Sequence, residues 1–173
     1  MSMVLSVFQR RIDGKENAAA FAILTAGCEA PSRASELVGV ATIYTGEEED
    51  TVLIKLTIDG LQPGLHGFHL HDGRGPTCDK AGAHYRREGE VHGGPLNKDS
   101  PGRHRGALGN VVADSRGVVR GEITANLTVA ECIGRTLIVH EEADDLGLGG
   151  TDVSRENGTS GKRLLGGLVM CMA

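Results

Sequence analysis

Thr51-Val52-Leu53-Ile54-Lys55-Leu56-Thr57-Ile58-Asp59 alternates, with Val52, Ile54, Leu56 and Ile58 on one side and Lys55, Thr57 and Asp59 on the other. Successive strand residues point to opposite faces, so this period of two reads as a half-buried β-strand. On either side of it, similar short runs rich in apolar and β-branched residues occupy positions 18–25, 37–44, 67–71, 109–113, 118–126, 136–140 and 164–172. Asp114-Ser115-Arg116-Gly117 separates two of them and reads as a hairpin turn, with glycine available for a positive φ. About eight strands follow, and eight short strands close into a sandwich or barrel. The composition agrees. It is 39% apolar but only 3% aromatic, with no Trp and 26 Gly, which suits an aliphatic β core with many turns and disfavours helices.

The 173 residues suffice for one domain. Residues 1–17, with the polar stretch Arg10-Arg11-Ile12-Asp13-Gly14-Lys15-Glu16-Asn17, read as an extension before a domain at 18–173. A formal net charge of -5 with scattered Lys and Arg argues against a nucleic-acid surface. No apolar run approaches the ~20 residues of a membrane span, and a cytoplasmic protein is expected. Cys28, Cys78, Cys132 and Cys171 form no CxxC pair, leaving free thiols or one structural bridge as alternatives.

Two long connections, 72–108 and 141–163, interrupt the strand pattern, and long loops in compact domains tend to be functional. All seven His lie between 66 and 140. His69 and His71 are two apart on a strand, so both rings leave the same face while Phe68 and Leu70 point to the core. His84, His92 and His104 are spread along the first loop, and His140 ends a strand just before Glu141-Glu142-Ala143-Asp144-Asp145. Imidazoles at strand and loop junctions, with acids able to orient their second nitrogens, point to a copper or zinc site.

Gly64-Leu65-His66-Gly67-Phe68-His69-Leu70-His71 resembles the copper-binding signature of copper/zinc superoxide dismutases. Ala81-Gly82-Ala83-His84, His92-Gly93-Gly94-Pro95 and Leu108-Gly109-Asn110-Val111 resemble that family's metal loop, and 134–147 resembles its second signature. The resemblance covers about residues 18–173. It implies an all-β, eight-stranded Greek-key barrel, a member of the sandwich architectures, with a metal-binding loop and an electrostatic loop. It also implies copper on His69, His71, His84 and His140, zinc on His84, His92 and His104, and Asp144 behind a ligand of each metal. His66 would be structural. Arg163 would hold the anionic substrate and His84 would move a proton, giving a copper-dependent superoxide dismutase that turns superoxide into oxygen and peroxide. The partners implied are superoxide, a second copy of the chain and a copper chaperone.

Two positions depart from the family pattern. Ala107 stands where an aspartate ligand of zinc is expected, which weakens the zinc site and leaves Asp99 as a substitute ligand. Gly166 stands where the disulfide partner of Cys78 is expected, so that a bridge would need Cys171 at a bent strand end. The alternative to an active enzyme is a copper-chaperone-like or catalytically inactive metal-binding member of the same fold.

Overall fold

The computed structural model describes residues 18–26, 38–75, 77–94 and 103–172. The expected extension at 1–17, Cys28 and Asp99 lie outside them. The strands are β1 (Ala20–Ala26), β2 (Val38–Thr45), β3 (Val52–Asp59), β4 (Gly64–His71), β5 (Ala107–Ala113), β6 (Val119–Ala125), β7 (Thr136–His140), β8 (Arg163–Leu168) and β9 (Met170–Cys171). Two short helices, α1 (Val129–Cys132) and α2 (Asp152–Asn157), lie in connections.

Eight strands run in the order β5-β4-β7-β8-β1-β2-β3-β6, with β9 paired to β1. Every pairing between these strands is antiparallel. The two ends of this path, β5 and β6, are joined by the 114–117 turn, so the sheet nearly closes on itself as the expected Greek-key barrel. Asp114 Oδ1 accepts the N–H groups of Arg116 and Val118, and Gly117 takes φ 78° where its Cβ would strike Leu61 O. That turn therefore requires glycine.

The alternation in β3 is realised fully. Val52, Ile54, Leu56 and Ile58 are buried, and the intervening residues are partly exposed. With Leu24, Ile43, Phe68, Leu70, Leu137 and Leu165 they form a core of aliphatic side chains and one large aromatic. Burial of each such side chain contributes about 1.5–3 kcal/mol against chain entropy. The last expected strand, 164–172, is split at Val169, whose N–H and C=O turn aside to Arg135 and Gly134.

The strand β4 departs from simple alternation, because Phe68, His69, Leu70 and His71 are all buried. Its outer face is covered by both long loops. Tyr85 N–H donates to Leu70 O, Leu70 N–H to Gly106 O and Gly67 N–H to Glu142 O. Gly106 is required here, since a Cβ would meet Leu70 O and the Tyr85 backbone. The second loop is also more ordered than its sequence suggests. It carries α2, capped by Thr151, whose hydroxyl accepts the Ser154 N–H.

Candidate metal centre

Three histidines come from the barrel wall and three from the first loop. His69 and His71 leave the same face of β4, as their spacing requires. His140 ends the neighbouring strand β7, where His69 pairs with Ile138. The first loop turns back against β4 at an isolated His71–His84 bridge, which brings His84 over the strand. His92 is tied to the second loop through its N–H to Arg155 O, and His104 to Val91 O.

These placements produce two groups that share one ring. Ligand-capable atoms of His69, His71, His84 and His140 lie within 4.8 Å of one another, as do those of His84, His92 and His104. The ring of His84 has its centroid 4.1 Å from that of His69, 4.8 Å from His71, 5.2 Å from His92 and 5.8 Å from His104. All six rings are buried.

Hydrogen bonds fix which nitrogen faces inward in the rings of His69, His71, His92 and His140. His71 Nδ1 donates to Gly82 O at 2.9 Å and His140 Nδ1 to Gly161 O at 3.2 Å, leaving both Nε2 atoms without a partner. His69 Nε2 donates to Asp144 at 2.7 Å and His92 Nε2 at 2.8 Å, leaving their Nδ1 atoms without one. His84 Nδ1 and both nitrogens of His104 are likewise buried and unpaired. Such orphaned groups cost about 1–3 kcal/mol each in an apolar interior. Converging lone pairs, four of them set by a bond on the far side of the ring, are what a metal ion requires.

Electrostatics point the same way. Burial pushes the pKa of His69, His71 and His84 down, that of His140 to about 3 and that of His104 to about 4. These rings are therefore neutral near pH 7, as metal ligation requires. Burial works against ionisation of Asp144, but hydrogen bonds from His69 and His92 outweigh it and hold the carboxyl well below its usual range. The residues present thus fit copper and zinc as ligand types, with one weakness in the second group. No carboxylate of the described residues joins it, and Ala107 occupies the neighbouring ladder position.

Arg163, at the start of β8, donates to Cys78 O and Gly82 O, both at 2.7 Å. It borders a cavity of about 350 Å3 together with His71, His84, His140 and Val153, closed on one side by residues 157–161. His66 lies apart from both groups, its ring nitrogens 2.8 Å from Gln62 O and His140 O, which is the structural role expected of it. Asn110 was not singled out by the sequence reading. Its side chain bonds both Asp144 N–H and Asp144 O, fixing the backbone of that acid. An amide in the middle of a strand, where Asn is disfavoured, was the available signal. Gly158 was also missed; a Cβ there would strike Asp144 and His92.

The family model for copper/zinc superoxide dismutases matches residues 37–169. The chain belongs to this family. Among its curated relatives, the copper chaperone for superoxide dismutase of Homo sapiens is 48% identical over 121 residues, covering 68% of this chain and 43% of that protein. Those of Rattus norvegicus and Mus musculus are 48% and 47% identical over 120 residues, with the same coverage. The chain thus spans less than half the length of these relatives. Of solved structures, the clock protein EA4 superposes with a TM-score of 0.77 at 28% identity, covering 92% of this chain and 98% of that one.

These relatives correct one expectation. The family and the barrel stand as read, but an active dismutase does not, because the curated relatives named above are chaperones and the alternative reading fits them better. A bridge from Cys78 to Cys171 is also absent: Cys78 is buried as a thiol beneath Gly166, whereas Cys171 is exposed on β9. Among the described residues no helix is long and apolar enough to cross a membrane.

Proposed function

We propose that this chain is a chaperone-like member of the family, carrying copper as cargo on His69, His71, His84 and His140 for delivery to a superoxide dismutase. The observation that carries the reading is the 48% identity to the human copper chaperone over 121 residues. The chemistry of the four-histidine group supports it. Neutral imidazoles suit copper in either oxidation state, and holding the ion requires no displacement of protons near pH 7.

In this reading Arg163 is a positioning residue. Its guanidinium and the His71 Nδ1–H share Gly82 O as acceptor, so it fixes the carbonyl that turns His71 Nε2 inward. The open cavity beside His71, His84 and His140 gives the route by which cargo enters and leaves. Zinc would be held by His84, His92 and His104, where it supports the metal loop through the shared ring of His84. A reducing compartment such as the cytoplasm suits the thiols of Cys78, Cys132 and Cys171.

The test is transfer. The chain, loaded with one equivalent of Cu(I), is mixed with a copper-free, zinc-loaded superoxide dismutase. The two are then separated, and copper is counted on each. Copper should move to the dismutase, which gains activity, and His140→Ala should deliver much less. Retention of copper by the wild-type chain over hours would overturn the reading.

A further inference from the structure

The second histidine group has an unusual charge balance. It offers three imidazoles, and among the described residues no carboxylate belongs to it. Asp144 approaches only the far nitrogen of His92, at 2.8 Å, and so serves the outside of the group. A divalent ion on three imidazoles would keep its full charge in a buried setting, where uncompensated charge costs several kcal/mol. Three protein ligands with a fourth position left over are also the pattern of open, rather than closed, zinc-type sites.

Among the described residues, position 107 offers no fourth ligand. Ala107 lies directly opposite His69 in the β4–β5 ladder, and opposed residues of an antiparallel pair share a sheet face. Its side chain therefore projects toward the side from which His69 reaches the site, yet ends in a methyl group. Ala107 is fully buried, and its backbone is fixed at both ends: its N–H donates to His104 O, and its C=O accepts from Arg103 Nη1. Arg103 and Arg105 flank His104 in the sequence; Arg105 is paired with Glu90 at 3.6 Å, and Arg86 and Glu90 act on the His104 ring with opposite sign.

We infer that His84, His92 and His104 form an open three-imidazole site that binds a small exogenous anion as the fourth ligand of its metal. A carboxylate, a halide, azide or hydroxide has the required charge and size. This rests on reading the second group as a metal site and is independent of copper delivery. Its consequence is that metal affinity at this group depends on which anions the solution contains.

Co(II) provides the readout, since its visible bands report a change of ligand. The four-histidine group is first disabled with His71→Ala and His140→Ala, and the experiment is repeated in wild-type protein preloaded with Cu(I), which has no visible bands. Co(II) is added at one equivalent, followed by azide. The expected result in both proteins is a saturable band shift with azide. Ala107→Asp should abolish that shift and tighten Co(II) binding, whereas Asp99→Ala should leave the shift unchanged. Bound Co(II) without an azide response, or a response that appears only in Asp99→Ala, would overturn the inference by showing a protein-derived fourth ligand. Failure of Co(II) to bind in either protein would overturn the metal-site reading beneath it.

Discussion

The carboxylate of Asp144 accepts a 2.7 Å hydrogen bond from His69 Nε2 and, on the same oxygen, a 2.8 Å bond from His92 Nε2. One acid thereby sets the ring orientation of a member of each histidine group, and its own backbone is clamped by Asn110. Asp144→Asn keeps the size of the side chain but offers one acceptor oxygen where two N–H donors converge. The expected outcome is a loss of affinity of roughly 10–100-fold at both groups. Chelator competition with Cu(I) and Zn(II), measured separately, checks this. A loss confined to one group would contradict the bridging role.

Glu131 anchors the far side of the metal loop. Its Oε1 accepts from Tyr85 Oη and Arg87 Nη2, both at 2.9 Å, and the Tyr85 ring lies beneath the Arg135 guanidinium at 3.8 Å. Burial alone would raise the Glu131 pKa, but bonds from the Thr128 N–H, Tyr85, Arg87 and the Thr128 hydroxyl lower it from 4.5 to about 2. A carboxylate whose pKa is depressed by folding contributes stability that is complete above pH 4.5 and lost as pH falls toward 2. Glu131→Gln should cost about 1–2 kcal/mol at neutral pH. It should also flatten the fall in stability between those limits, as read from urea unfolding at a series of pH values.

The strand pattern was legible because a period of two survives wherever one face meets solvent. It remained clear in β3 and failed in β4, where loops cover the outer face and His69 and His71 are buried beside Phe68 and Leu70. Side-chain type and strand register pointed to a copper or zinc site, and the division of the histidines between two metals was implied by the family resemblance. The role of Asn110 and the clearance at Gly158 could not, since both depend on how the second loop packs across the first. Nor could motif matching separate a chaperone from an enzyme. The distinction came from similarity spread over 121 residues.

His140 belongs to the first group alone, while His84 belongs to both. His140→Ala should therefore lower the affinity for Cu(I) and leave zinc binding near its wild-type value. His84→Ala should weaken both. Calorimetric titration of each metal into each variant measures the contrast; equal effects of the two substitutions on zinc would refute the sharing of His84.

A cysteine at position 166 should close a disulfide that the present chain lacks. A Cβ built on Gly166 would stand 3.0 Å from Cys78 Sγ and 3.2 Å from Ile138 Cδ1, and Gly166 does not adopt a positive φ. Across a disulfide, the Cβ of one half and the sulfur of the other are about 3 Å apart, so the existing backbone already has the spacing needed. Gly166→Ala, by contrast, places a methyl in tight contact with the thiol and should destabilise the fold by about 1–3 kcal/mol. Gly166→Cys should resemble Gly166→Ala when reduced and gain roughly 2–4 kcal/mol on oxidation, because the bridge would close a long loop between the first loop and β8. Urea unfolding with and without reductant, alongside thiol titration, measures both states. An oxidised variant that retains its reactive thiols, or that is no more stable than its reduced form, would show that Cys78 Sγ is turned away from residue 166.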